Sequence, residues 1–211
     1  MEIVIASNNK DKVNEYRKIL SEFDIKCITL KELNIVCDPV ETGNTFQENS
    51  LIKAKEIAKF TDKVIIADDS GLVVDAIPNE LGVYSHRFMG EDTPYPIKCL
   101  EVIKQVEGKT RSARFECCIT LLNFDETPHQ FNGVIEGNIG YEIKGEHGFG
   151  YDPIFIPIGY DMTTAEMEEE MKHSISHRGN ASRLLVKFLK EKGVKWWIFY
   201  LQMMMGLMHW V

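Results

Sequence analysis

Apolar runs and helically spaced apolar residues alternate along the first half of the chain. A short run of apolar, mostly β-branched residues predicts a buried strand, and apolar residues three or four positions apart predict the inward face of a helix. These rules predict a strand at 2–6, a helix at about 13–23, a strand at 25–30, a helix at 45–61, a strand at 64–67 and further extended chain at 72–76. Such alternation is typical of an α/β fold.

Two of the predicted helices have recognisable first residues. Thr45 is followed three residues later by Glu48, which is the pattern of a capping box. Pro94 is expected to open another helix, because proline is tolerated in the first turn. The residues expected to point inward from that helix are Ile97, Leu100, Ile103 and Val106.

The second half of the chain is rich in predicted strands. Residues 113–123 and 131–139 are β-branched or aromatic and are expected to pair across a turn near 125–128. Residues 145–157 are glycine-rich and irregular, which suits a loop that lines a site, and apolar spacing at 181–189 predicts a last helix. We expect an α/β fold with a mixed, twisted sheet, formed by residues 1–192 and divided into a main lobe and a smaller strand-rich lobe.

Composition narrows the possible functions. The 211 residues carry 24 Lys and Arg against 32 Asp and Glu, a formal charge of −8, which argues against a nonspecific nucleic-acid partner. The first residues turn polar by Ser7, so no signal peptide is expected. Five cysteines show no metal-ligand spacing and are odd in number, which favours reduced thiols and a cytoplasmic location.

The end of the chain, residues 193–211, differs from the rest. From Trp196 onward it has no formal charge, yet it is shorter than the ~20 apolar residues that a spanning helix needs, so no membrane association is expected. It is compatible with a cover over a core edge, with a partner contact, or with a readthrough or frameshifted end. Its role stays open.

The most informative stretch is Asp68-Asp69-Ser70-Gly71, which follows the predicted strand at 64–67. If the strand ends there, two carboxylates lie at the rim of the sheet, where open α/β sheets bind ligands. Adjacent carboxylates repel unless a cation lies between them, and Mg²⁺ prefers oxygen ligands and is often bound with phosphates. An ordinary turn would use the same residue types.

A second polar segment, Ser7-Asn8-Asn9-Lys10-Asp11-Lys12, lies where the first strand passes into a helix. Backbone amides and the helix dipole favour anions at such a position, and a lysine one turn inside can reach a phosphate. The segment lacks the glycines and the Gly-Lys-Ser/Thr ending of a Walker motif. A solvated polar loop is the alternative.

Three further groups of residues complete the candidate chemistry. Glu41 precedes a helix N-terminus and could share a Mg²⁺ ion with Asp69. In Gly148-Phe149-Gly150-Tyr151-Asp152-Pro153 the glycines allow close approach to a ligand and Phe149 offers a stacking surface, although a turn with buried aromatics is also possible. Lys172, His177 and Arg178 concentrate positive charge in an acidic chain, and the Arg178 fork suits a phosphate or a carbonyl.

With these residues in view, the chain closely resembles the inosine/xanthosine triphosphate pyrophosphatase family, from Met1 to about Lys192. Five ordered motifs carry the resemblance: Ser7-x-Asn9-x-x-Lys12, Glu41-Thr42-Gly43-x-Thr45-Phe46-x-Glu48-Asn49, Ala67-Asp68-Asp69-Ser70-Gly71-Leu72, Gly148-Phe149-Gly150-Tyr151-Asp152-Pro153, and Thr164-Ala165-Glu166-Met167 with Ser176-His177-Arg178-Gly179. The family's usual Pro-Gly before its Tyr-Ser-x-Arg segment is absent here, since Asn79-Glu80 leads into Leu81-Gly82.

The resemblance implies an elongated, two-lobed α/β fold, a homodimer, and Mg²⁺-dependent release of pyrophosphate from ITP, dITP or XTP. It also implies that Asp69 is the proton acceptor and, with Glu41, a metal ligand. The residues implied to bind the nucleotide are Ser7, Asn8, Asn9, Lys10, Asp11, Lys12, Ser70, Phe149, Gly150, Tyr151, Asp152, Lys172, His177 and Arg178.

Two other functions explain fewer of the candidate site residues than a pyrophosphatase does. A nucleotide-binding module that has lost catalysis, docking partners through its apolar tail, would be expected to have lost one of Glu41, Asp69 and Lys172, and all three are present. A kinase acting on canonical nucleotides would need a phosphate loop that the sequence lacks.

Overall fold

A computed structural model of the protein describes residues 1–193. The predicted tail at 193–211 therefore lies, from residue 194 onward, outside the described residues. Within residues 1–193, no helix is long and apolar enough to cross a membrane.

The described chain alternates strands and helices in its first half and is strand-rich in its second, as expected. The elements are β1 (Glu2–Ile5), α1 (Lys10–Ser21), β2 (Lys26–Thr29), α2 (Phe46–Ala58), β3 (Ile65–Val74), α3 (Tyr95–Gln105), β4 (Ser112–Leu122), β5 (His129–Ile139), β6 (Phe155–Pro157), α4 (Glu169–Ile175) and α5 (His177–Glu191). Short 3-10 turns lie at Gly82–Tyr84 and Asp152–Ile154. The predicted pairing of β4 with β5 is confirmed and is antiparallel.

The six strands form one mixed sheet in the order β2-β1-β3-β4-β5-β6. β1 is parallel to β2 and to β3, whereas the pairs β3–β4, β4–β5 and β5–β6 are antiparallel. β1 pairs with β3 only through Val4–Ile65 and Ile5–Ile66, whereas every residue of β3 pairs with a residue of β4. Past Ile66, no strand of the described residues therefore borders β3 on the β1 side.

The hydrophobic core is divided along β3 and β4. Ile66 and Ile119 belong to a cluster that includes residues of α1 and α5, and α2 packs on the other face of the sheet. Farther along the same two strands, Leu72 and Phe115 belong to a second cluster with residues of α3. The predicted α/β fold with a mixed sheet is confirmed.

The capping box at the start of α2 is also confirmed. Thr45 Oγ1 accepts a hydrogen bond from the Glu48 N–H at 3.1 Å, and the Glu48 carboxylate accepts one from the Thr45 N–H at 3.2 Å. α1 begins earlier than predicted, because Asn9 caps it and accepts hydrogen bonds from two backbone N–H groups of the polar segment. Much of that predicted loop is thus the first turn of a helix.

The inward face predicted for α3 is partly wrong. Ile97 and Leu100 are 50% and 57% exposed, whereas Cys99, Val102 and Val106 are buried. Both rows have helical spacing, so periodicity alone does not decide between them. The residues of α3 and its C-terminal end that pack in the second cluster with Leu72 and Phe115 are Cys99, Val102 and Val106.

Candidate active site

Asp68 and Asp69 lie in the middle of β3, and the predictions that the strand ends before them or that they form a turn are both wrong. Asp68 lies opposite Ile119 and Asp69 opposite Cys118 in the β4 ladder. Because successive side chains of a strand point to opposite faces, the two carboxylates do not share a cation. The site is at a rim nonetheless, since β1 has already ended beside them.

The Asp68 carboxylate is buried on the face of the sheet that carries α1 and α5. Its Oδ2 lies 3.1 Å from Lys12 Nζ, 3.2 Å from Ser70 Oγ and 3.5 Å from Arg178 Nη2. Burial opposes its ionisation, but the charges of Lys12, Arg178 and Lys53 outweigh burial and hold the pKa of Asp68 below its ordinary value. Asp68 is therefore a fixed negative charge.

Glu15, on α1, is a buried site residue that the sequence analysis did not identify. It accepts hydrogen bonds from Lys172 Nζ at 3.0 Å and from Arg178 Nη1. Lys172 Nζ also lies 2.7 Å from Asp152 Oδ2. Burial opposes ionisation of Glu15, but Arg178 and Lys172 lower its pKa to about 2. Glu15 thus holds in place two residues predicted to bind nucleotide.

The Asp69 carboxylate points to the opposite face, toward α2. Its Oδ1 lies 2.8 Å from Lys53 Nζ, and its Oδ2 accepts a hydrogen bond from Asn49 Nδ2 at 3.2 Å. Burial raises the pKa of Asp69, Glu41 adds to this rise, and Lys53 and Lys12 oppose it. Asp69 is thus more readily protonated than its neighbour Asp68, which is the property of a proton acceptor.

Glu41 and Asp69 converge on one position, that of the Lys53 ammonium group. Glu41 Oε1 and Asp69 Oδ1 each lie 2.8 Å from Lys53 Nζ. Two carboxylates that already share one cation are the donors that Mg²⁺ uses together with water and phosphate oxygens. Within residues 1–193, no group of three or more His, Cys, Asp and Glu side chains is arranged to hold a metal ion, so this pair would supply only two protein ligands. These residues fit an open magnesium site.

A cavity of about 620 Å³ joins the two faces of β3 at this point. Its volume is in the range of small-molecule sites. The predicted site residues that line it are Ser7, Asn8, Asn9, Lys12, Glu41, Asp69, Ser70, Phe149, Gly150, Tyr151, Asp152, Lys172, His177 and Arg178. Lys10 and Asp11 do not line it, and both are exposed in the first turn of α1.

Aromatic and cationic side chains form one wall of the cavity. Lys172 Nζ and the Arg178 guanidinium lie 5.3 Å and 5.6 Å from the centre of the Phe149 ring. His177 is stacked on Phe115, with ring centres 4.9 Å apart and planes 12° apart. Burial and the neighbouring Arg178 lower the pKa of His177 well below its ordinary value, so its imidazole is neutral at pH 7.

The glycine-rich loop approaches Asp152 closely. Gly148 has φ +75°, and a Cβ at this position would collide with Asp152 Oδ2. The Phe149 N–H donates to the same oxygen at 2.8 Å. The loop therefore needs glycine here to bring Phe149 over Lys172.

Two site residues that were not predicted, Lys53 and Glu15, lie one helical turn from residues of the motifs. Lys53 is four positions after Asn49 on α2, and Glu15 is three positions after Lys12 on α1. Helical residues three or four apart share a face. This helical spacing could have identified both side chains as site residues from the sequence.

Known proteins of similar sequence match most of this chain. The Ham1 family model matches residues 3–188. The dITP/XTP pyrophosphatase of Oceanobacillus iheyensis is 41% identical over 191 residues, covering 89% of this chain and 97% of the relative. The protein of the same name from Staphylococcus aureus is 42% identical, covering 92% and 99%.

Solved structures show the same similarity. The Staphylococcus aureus Ham1 protein has a TM-score of 0.81 at 41% identity, covering 91% of this chain and all of that one. A nucleoside-triphosphatase, dITP/XTP pyrophosphatase, from Mycobacterium abscessus has a TM-score of 0.69 at 35% identity, covering 88% and 98%. The resemblance inferred from the five motifs is confirmed, and this chain belongs to the Ham1 family.

Proposed function

We propose that this protein is a Mg²⁺-dependent pyrophosphohydrolase that converts ITP, dITP and XTP to the nucleoside monophosphate and pyrophosphate. The observation that carries the proposal is the pair Glu41 and Asp69, which converge on one cation position in a nucleotide-sized cavity. The names of the Ham1 relatives, dITP/XTP pyrophosphatase, support dITP and XTP as substrates.

In this proposal Asp69 accepts the proton of the water that attacks the α-phosphorus. In the absence of the metal ion, burial raises the pKa of Asp69 whereas the pKa of Asp68 is lowered, so Asp69 is the carboxylate of the two that accepts a proton more readily. Lys12 and Lys53 supply positive charge on the two sides of β3, where the phosphates would lie. Magnesium held by Glu41 and Asp69 would act as a Lewis acid and orient the phosphates.

The purine would lie against Phe149, whose ring face stacks on any base. Selection would then depend on the edge of the base, since hypoxanthine and xanthine present a carbonyl at C6 where adenine presents an amino group. Donors facing that carbonyl would be left unpaired against adenine, which costs roughly 1–3 kcal/mol per buried group. Arg178 already donates hydrogen bonds to Glu15 and Ser70. It would therefore both hold the aromatic and cationic wall of the cavity in position and bind the nucleotide.

We further propose a cytoplasmic homodimer without a nucleic-acid partner. The acidic formal charge of −8 supports the absence of nucleic acid, and the resemblance supports the dimer. Light scattering on a sizing column would give the mass in solution, and a mass of one chain would contradict the dimer.

The function is tested by measuring pyrophosphate released from dITP, ITP and XTP beside dATP and dGTP, with Mg²⁺ and with a chelator. We expect Mg²⁺-dependent release from the first three and far slower release from dATP. Tight binding of dITP without any release would instead support a nucleotide-binding module. Release that persists in the chelator would contradict the role of Glu41 and Asp69 as metal ligands.

A further inference from the structure

Positive charge in the cavity is almost entirely neutralised by the protein itself. The cationic side chains that line it are Lys12, Lys53, Arg87, Lys172 and Arg178. Lys12, Lys53 and Lys172 each lie within 3.1 Å of a buried or half-buried carboxylate oxygen, and Arg178 is paired with Glu15. A triphosphate brings several negative charges, so a cation without a close carboxylate matters more than the others.

Among the cavity-lining residues of the described range 1–193, Arg87 is that cation. Its nearest carboxylate oxygen, Glu41 Oε2, is 4.0 Å away. Its hydrogen bonds to the carbonyl oxygens of Glu41 and Val83 are both 3.4 Å long, and its guanidinium lies 5.6 Å from the centre of the Tyr84 ring. The side chain is 36% exposed, against 15% for Lys12 and 12% for Lys53. Its planar fork of donors is therefore available to a ligand.

The backbone that carries Arg87 is anchored on both sides. Ser85 Oγ accepts a hydrogen bond from the Leu72 N–H of β3 at 3.0 Å. Lys98, a buried residue of α3, donates to the His86 carbonyl at 2.6 Å, and the Phe88 side chain is buried in the second core. A loosely held side chain on a firmly held backbone is suited to binding, because little backbone entropy is lost when the ligand arrives.

Arg87 lies near the position expected for the β- and γ-phosphates of the substrate. Asp69 contacts Lys53, Lys53 contacts Glu41, and Glu41 is the carboxylate nearest to Arg87. Phe149 belongs to the other face of β3, where it contacts Lys172 and Arg178. A nucleotide with its base at Phe149 and its α-phosphate near Asp69 would extend its β- and γ-phosphates toward Glu41 and Arg87.

We propose that Arg87 binds the terminal phosphates of the substrate and the pyrophosphate that leaves, a role that rests on the proposed function. A guanidinium fork can donate two parallel hydrogen bonds to phosphate oxygens, which a lysine cannot do. Arg87 is thus a binding residue for the leaving group and takes no part in binding the base or the α-phosphate.

The test compares Arg87→Ala and Arg87→Lys with Arg17→Ala, in which the lost arginine pairs with Glu32 on the surface. The constants to measure are KM and kcat for dITP, and the inhibition constants of pyrophosphate and of dIMP. We expect Arg87→Ala to weaken pyrophosphate inhibition on the order of 10- to 100-fold and to raise KM for dITP, as for a lost charged hydrogen bond. Inhibition by dIMP is expected to stay at the wild-type value.

Arg87→Lys is expected to restore part of the pyrophosphate affinity, and Arg17→Ala to match the wild type. Since the contacts of Arg87 are long, the variants should unfold at the wild-type temperature. Unchanged pyrophosphate inhibition would overturn the proposal, and an equal loss for dIMP would show that Arg87 acts by holding Glu41. If the wild type releases no pyrophosphate, the proposed function fails separately, and calorimetric titration with pyrophosphate and Mg²⁺ still tests Arg87.

Discussion

At the scale of single residues, Asp68 and Asp69 have clearly different roles. The two are adjacent in sequence, yet alternation along β3 sends them to opposite faces with different cations. Asp68 has a lowered pKa because Lys12 and Arg178 overcome its burial, whereas burial prevails at Asp69 and its pKa is raised. One carboxylate is thus structural and the other is suited to proton transfer.

We expect Asp69→Asn to lower the rate of pyrophosphate release by about 10²-fold or more, in keeping with the loss of a general base and of a metal ligand. An acid whose pKa is raised on folding is destabilising when ionised, so the neutral isostere should unfold at the same or at a higher urea concentration. Near-normal turnover in this variant would move the proton-accepting role to Asp68 or Glu41.

Asp68→Asn is the matched variant, with the opposite expectation for stability. Its pKa is lowered on folding, so its stabilising contribution is present above the ordinary value of 3.8 and is lost as the pH falls below that value. At pH 7 the variant should lose about 3 kcal/mol, since Lys12 and Arg178 keep buried charges with one partner fewer. Urea unfolding at pH 7 and at pH 3 measures both effects, and equal stability of the two variants would contradict this assignment.

Among the helices, α2 has the closest link to the chemistry. It carries Asn49 and Lys53, both of which contact Asp69, and its first turn is held by the reciprocal hydrogen bonds of Thr45 and Glu48. The start of this helix therefore helps to hold Asp69, the proposed general base, in position.

Thr45→Ala should lower the free energy of unfolding by about 1 kcal/mol, because it removes the side-chain cap of α2. Thr42→Ala is the control, since Thr42 is an exposed residue of the preceding loop and is not part of the cap. Urea unfolding of both variants provides the comparison. A loss for Thr42→Ala as large as that for Thr45→Ala would show that the loop, and not the cap, sets the stability.

Across the whole molecule, the polar site lies where β3 passes from one core to the other. Ile66 belongs to the first core and Leu72 to the second, and Asp68, Asp69 and Ser70 lie between them. Apolar packing on both sides holds this part of the strand, while the polar side chains face the cavity. Rigid elements on both sides of a site give the precision that catalysis needs.

Deletion of residues 196–211 should leave pyrophosphate release intact and improve solubility. All five motifs, the family match to residue 188 and the end of α5 at Glu191 precede the deleted segment. Activity and the concentration that remains soluble would be compared with those of the full chain. Loss of folding in the shortened protein would show that the apolar segment contributes to the core or to a dimer interface.

Local rules predicted most of the secondary structure from sequence. The order of strands and helices, the capping box at Thr45 and Glu48, and the antiparallel β4–β5 pair follow from side-chain period and from contacts within a few residues. The predicted site residues likewise line the cavity, with the exceptions of Lys10 and Asp11, because the chemistry of each residue type can be recognised without coordinates.

Long-range packing decided the rest. Local pattern does not show that β3 continues through Asp68 and Asp69, since it is pairing with β4, some 50 residues later, that keeps this segment extended. The buried face of α3 depended on which of two equivalent rows met the second core. Glu15 meets Arg178 across 163 positions of sequence. Such contacts depend on how the elements pack in three dimensions, and the residues on either side of Glu15 carry no information about its distant partner.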